Sequence, residues 1–181
     1  MTTLRTTGSL LLLLTVAGAG CGTTRVSSRS DASLAGMRFR NAAVAVSPDT
    51  GPSFEAARRA GETSLVRLLP ELGLNETYQA LPPGTLPAPE ELKRWAKERG
   101  YDGLLLVWHD SSSSKTLPPL EVVDEGSVHR VSYGARLWAL AADRELWSAR
   151  IERRNAASSP GELEAVSRAV AKELRKARPR T

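Results

Sequence analysis

Gly100-Tyr101-Asp102-Gly103-Leu104-Leu105-Leu106-Val107-Trp108 is the stretch on which the fold turns. Five apolar residues follow a glycine-flanked turn with no polar break. An uninterrupted apolar run of that length reads as a strand buried on both faces, in the middle of a sheet. Just upstream, Pro89 suits the first position of a helix running to Arg99, with Gly100 as its stop. Leu92, Trp95 and Ala96 form its apolar stripe. The proline-rich segment Leu81–Pro89 separates this helix from a short strand at Asn75–Ala80. Further back, Phe54, Ala57, Gly61, Leu65, Leu68 and Leu69 recur at helical spacing, giving a helix over Pro52–Leu69 that Pro70 ends. Met37–Val46, closing in Ala43-Val44-Ala45-Val46, is the first strand.

Downstream, Asp110–Gly126 is polar, with four serines and Pro118-Pro119, and reads as a long loop; Leu120–Val123 has the composition of a further short strand. Val128–Leu140 alternates. Val131, Tyr133, Ala135, Leu137 and Ala139 share one face, and Arg130, Ser132, Gly134 and Arg136 the other. After the turn Ala141–Arg144, Glu145–Arg153 pairs back as a hairpin with Trp147, Ala149 and Ile151 inward. Ser159, Pro160 and Glu162 form a helix-start signature. Leu163, Val166, Val170 and Leu174 are that helix's stripe, and Arg175, Lys176, Arg178 and Arg180 complement its dipole. The order β-α-β-α-β-β-β-α gives an α/β chain of the mixed α+β kind. Its expected architecture is a mixed five-stranded sheet, the first three strands parallel, with helices packed on it.

The amino terminus reads differently. Arg5 is followed by a leucine run, Leu10–Leu14, and by small residues up to Ala19-Gly20-Cys21-Gly22. The apolar part is shorter than the ~20 residues a spanning helix needs; it suits a cleavable signal, residues 1–20. Cys21 is the single cysteine of 181 residues. The arrangement resembles the lipobox of bacterial lipoproteins. That resemblance implies cleavage between Gly20 and Cys21, lipidation of Cys21 and, with Gly22 next, an outer-membrane address; a domain facing the periplasm is the expectation that goes with it. Residues 21–36, rich in Ser, Thr, Arg and Gly, read as a flexible tether, and residues 37–178 as one domain.

Net charge is +5, and the excess is arginine, 20 against 5 lysines. Such a surface could meet anionic lipid headgroups, glycan phosphates or nucleic acid. The arginines are scattered and interleaved with glutamates, as at Glu55/Arg58/Arg59 and Glu152/Arg153/Arg154, which reads as solvated faces. The export signal and the lack of a basic-aromatic motif argue against nucleic acid.

Ala43–Val46 before a helix, Gly100–Leu105 after one, and Leu137-Trp138-Ala139-Leu140 with Arg144-Glu145-Leu146-Trp147-Ser148-Ala149 carry a second resemblance. They resemble envelope lipoproteins with an anticodon-binding-like α/β domain. That group includes the TolB amino-terminal domain, the curli secretion lipoprotein and lipoprotein activators of penicillin-binding proteins. The resemblance spans most of residues 37–178 and brings no binding-site residue with it.

For chemistry the sequence offers little. His109, beside Trp108 and Asp110, stands at the end of the central strand, where open α/β sheets gather ligands. A metal site needs three or four ligands, and His129 is the only other histidine. Ser111–Ser114 lack the Gly-x-Ser-x-Gly context of a nucleophile. No catalytic residue, metal or cofactor is expected, and the chain is not read as an enzyme. Arg136 and Trp138, an arginine beside an aromatic on the more polar strand face, are the candidate interface. The expectation is an outer-membrane lipoprotein that binds an envelope protein or itself. A homo-oligomeric secretion or assembly subunit is the alternative, ahead of a hydrolase using His109.

Overall fold

The computed structural model describes residues 15–16, 24–48, 54–81, 87–116, 127–154 and 160–178. Its strands are β1 (Thr15–Val16), β2 (Thr24–Ser30), β3 (Ala42–Ser47), β4 (Leu74–Glu76), β5 (Gly103–Thr116), β6 (Ser127–Ala139) and β7 (Arg144–Arg154). Its helices are α1 (Phe54–Leu68), α2 (Pro89–Glu98) and α3 (Pro160–Ala177). One mixed sheet runs in the order β1-β2-β7-β6-β5-β3-β4. β3 is parallel to β4 and β5, and every other pair is antiparallel. The mixed α/β class and the parallel arrangement of the first three expected strands are therefore found.

The apolar runs explain the middle of the sheet. Ala42–Val46 and Leu104–Val107 are all buried and lie side by side, Val44 opposite Leu105. Alternate residues feed two cores. Val44, Leu105, Val107, Tyr133, Leu137 and Ile151 point to α1 and α3, meeting Leu65, Val166 and Val170. Ala43, Ala45, Leu104, Leu106 and Trp138 point to α2, meeting Leu92 and Ala96. Gly61 lets α1 settle close: an added Cβ would stand 3.0 Å from Val46 Cγ1 and 3.3 Å from Leu163 Cδ1. The cationic end of α3 is structural. Arg175 Nη2 donates to the Leu68 carbonyl at the end of α1, and Arg178 Nη2 to the Met37 carbonyl at 2.6 Å.

Three expectations need correction. First, residues 24–36 are not a free tether. Thr24–Ser30 pairs along its length with β7, Val26 opposite Ile151, and a 3-10 turn at Ala32–Gly36 follows. Asp31 caps that turn through the Ser33 N–H at 2.8 Å, and Leu34 is fully buried. Val26 and Leu34, the two large apolar residues of this segment, suffice because the backbone pairing with β7 supplies the rest. Second, Ser111–Thr116 is not loop but continues β5, paired with Ser127–Ser132 of β6. A bulge between His109 and Ser111 marks where the buried run ends. Third, the sheet has seven strands, not five. β1 and β2 account for the increase, and β1 falls inside the stretch read as a signal. The remainder of residues 1–20, Cys21, the segment Leu120–Val123 and the cap Ser159 lie outside the described residues.

Candidate interaction surface

α2 spans only ten residues and covers only part of the face it packs on. Its cover ends near Leu106, Trp138 and Leu140. Beyond it the same sheet face continues through Gly134, Ser132 and Arg130 of β6, Ser148, Arg150, Glu152 and Arg154 of β7, and Arg25, Ser27 and Arg29 of β2. Arg25, Arg29, Arg130, Arg136, Arg150 and Arg154 are all exposed.

Arg136 and Trp138, expected together at an interface, are separated by the edge of α2. Trp138 is 6 % exposed, packed with Leu92 and Ala96, with Lys93 Nζ 5.9 Å from its ring centre. It is a core residue and is not available as an anchor. The sequence pattern placed it correctly on the polar-looking face; that face is apolar there because a second helix covers it. Arg136 is exposed as expected. Its guanidinium lies 5.4 Å from the ring centre of Trp108, and its Nε is 3.5 Å from Glu145 Oε2. Trp108 takes the place assigned to Trp138. It stands directly opposite Gly134, and a Cβ there would fall 2.1 Å from Trp108 Cζ2. A glycine inside an otherwise regular strand marks such a close approach, and Gly134 was the available signal.

The residues considered for catalysis are placed without a catalytic arrangement. His109 faces the α1/α3 side and meets Tyr133 edge-on, ring centres 5.6 Å apart. Asp110 sits in the bulge and turns to Arg150 Nη2 at 3.3 Å. Among the described residues no group of three His, Cys, Asp or Glu side chains could hold a metal ion. A shallow groove of about 590 Å³ lies along the outer side of α1, where Glu55, Arg59, Arg67 and Glu164 mix charges of both signs.

The densest polar cluster is fully enclosed. Arg58 and Glu62, one helical turn apart on α1, are both 0 % exposed, with Nε and Oε1 3.2 Å apart. Glu62 Oε2 accepts from the Thr77 and Tyr78 N–H groups at 2.6 and 2.8 Å. Its Oε1 accepts from Thr77 Oγ1 at 3.0 Å and from the Val46 N–H at 3.3 Å. Burial pushes the carboxyl above the usual glutamate value, against the pull of Arg58 and the Thr77 and Tyr78 donors. This carboxylate ties α1 to the end of β3 and to the chain after β4; it has no opening to a substrate. Glu162 is similar on a smaller scale: burial raises it while Arg153 Nη1 stands 3.1 Å away.

No protein-family model matches the chain, and no curated protein sequence does. Solved structures similar to it include the PelC dodecamer from Paraburkholderia phytofirmans, at 19% identity and a TM-score of 0.48, covering 88% of this chain and 99% of that one. Lipoprotein GNA1162 from Neisseria meningitidis is similar at 18% identity and a TM-score of 0.42, covering 75% of this chain and 99% of that one.

Proposed function

We propose that the protein is a lipid-anchored, non-enzymatic module of the bacterial envelope, held at the outer membrane through Cys21 and binding an envelope protein. The observation that carries the reading is the sequence Ala19-Gly20-Cys21 at the end of a short apolar run, three residues before the first full strand of the domain. In this reading the attachment is the acyl anchor on Cys21; among the described residues no helix is long and apolar enough to cross a membrane. The polar part of the sheet face, with Trp108 under Arg136, offers an aromatic and arginine pair of the kind that anchors protein interfaces.

Intact mass of the membrane-extracted protein, compared with Cys21→Ser and combined with membrane fractionation, tests the anchor. Loss of residues 1–20 plus added acyl mass, in the outer-membrane fraction, is expected. An unacylated soluble species would reject it.

Self-association is the second reading, favoured by one observation. Among the described residues, β2 from Val26 to Ser30 has a strand on one side only. An open edge of five residues can accept a strand from a second copy. A sedimentation mass equal to one chain at all concentrations would remove it.

A further inference from the structure

Strand register gathers arginines that are far apart in sequence. Arg130 of β6 and Arg154 of β7 are direct cross-strand partners, so their side chains rise from the same face side by side. Two residues along, Ser132, Glu152 and Arg25 form the next row on that face, and Arg150 opposite Gly134 the row after. Like charges placed directly opposite on a sheet repel and destabilise the pair. Among the described residues the nearby acids, Glu152 and Asp110, are engaged with Arg150 at 3.4 and 3.3 Å. Among the described residues Arg25, Arg130 and Arg154 have no ion-pair partner, and all three are exposed. The cluster therefore carries net positive charge, contains a pair that an external anion would relieve, and lies beyond the reach of α2.

Its position along the strands decides which anion. This is the end at which β2 begins, Thr24 standing opposite Arg153. Only three peptide units separate Cys21 from Thr24, a reach of at most about 11 Å when fully extended. Any bilayer that holds Cys21 lies within that distance of Thr24, the residue before Arg25, with Arg154 and Arg130 one and two strands further across the same end of the sheet. We infer that Arg25, Arg130 and Arg154 dock this end of the sheet onto anionic phospholipid headgroups of the membrane that holds the anchor, fixing the domain's orientation. The inference rests on the lipid-anchor reading.

The test uses membrane-extracted protein carrying Ser27→Cys, an exposed position on the same face, labelled with an environment-sensitive fluorophore. It is mixed with vesicles of phosphatidylcholine alone or with added phosphatidylglycerol, both containing headgroup-spin-labelled lipid. Flotation reports the anchor, and quenching reports docking. Flotation with both vesicles and quenching only with phosphatidylglycerol is expected. Each basic residue near an anionic surface contributes about five-fold, so Arg25→Gln/Arg130→Gln/Arg154→Gln should lower the docked-to-undocked ratio about 100-fold. Raising salt from 0.1 to 0.5 M should abolish the quenching of the unsubstituted cluster, a control free of any folding defect. Flotation with both vesicles and equal quenching in both would overturn docking and leave the anchor standing. Flotation with phosphatidylglycerol vesicles alone would overturn the anchor and support the arginine face. Flotation with neither would overturn both.

Discussion

Leu104 and Leu105 are neighbours in β5, both fully buried, and they face opposite sides of the sheet. On Leu105's side, α1 and α3 close over the strands from Val44 to Ile151. On Leu104's side, one ten-residue helix covers β3 and the near parts of β5 and β6, and past Gly134 the face turns to arginine. The first face is a core. The second is a core for half its width and a surface for the rest. A face that folding needed only for burial would have been covered or made uniformly apolar. The change along β6 from Trp138, under α2, to Arg130, beside Arg154 of β7, separates what holds the domain together from what it presents.

That contrast can be broken most sharply in the larger core. Leu105→Ala should cost about 3–5 kcal/mol, and Leu92→Ala, in the smaller cluster under α2, about 2–3 kcal/mol, read from urea unfolding. Equal costs would show that the two faces act as one packed unit. Next in size is Glu62→Gln, expected to cost about 3 kcal/mol, because an amide nitrogen cannot accept from the backbone donors around it and Arg58 loses the nearer of its two carboxylates, keeping Glu55 at 4.0 Å. The same substitution has a pH signature. Between the ordinary glutamate value of 4.5 and its raised value, the folded chain keeps a proton on Glu62 that the unfolded chain has released. Stability therefore falls as pH rises through that window, and Glu62→Gln should lose this component of the slope. Gly134→Ala, at the border between core and surface, should cost about 1–2 kcal/mol and red-shift tryptophan emission as the Trp108 ring is displaced. Smallest is Arg136→Ala. On the open half it should change stability by less than about 1 kcal/mol, since a cation over a part-exposed ring contributes little. A larger loss would mean that the open half also holds the fold.

Most of the fold could be read from residue order. The double-sided apolar run at Leu104–Val107 placed β5 in the middle of the sheet. The alternation Val131-Tyr133-Ala135-Leu137 named its inward residues correctly, and the Leu163-Val166-Val170-Leu174 stripe is buried as expected. What escaped was carried by partners and not by composition. Thr24–Ser30 has one valine among polar residues and becomes a strand only because β7 lies beside it. Ser111–Thr116 extends β5 for the same reason, held by β6. Trp138 was named for the interface beside Arg136 because periodicity assigns a face but not what covers it. The arginine cluster was invisible in sequence: positions 25, 130 and 154 become neighbours only through register.

The pairing of β2 with β7 also sets an order in time. The β6–β7 hairpin closes over a short turn, Ala139 opposite Arg144, and needs nothing distant. β2 must wait, since Val26 meets Ile151 and Ser30 meets Trp147 across more than a hundred residues of chain. Contacts of such long sequence separation close late and slowly. The first residues of the domain to be synthesised are thus among the last to find their partner. A chain cut short before Arg144 leaves them with no strand to join.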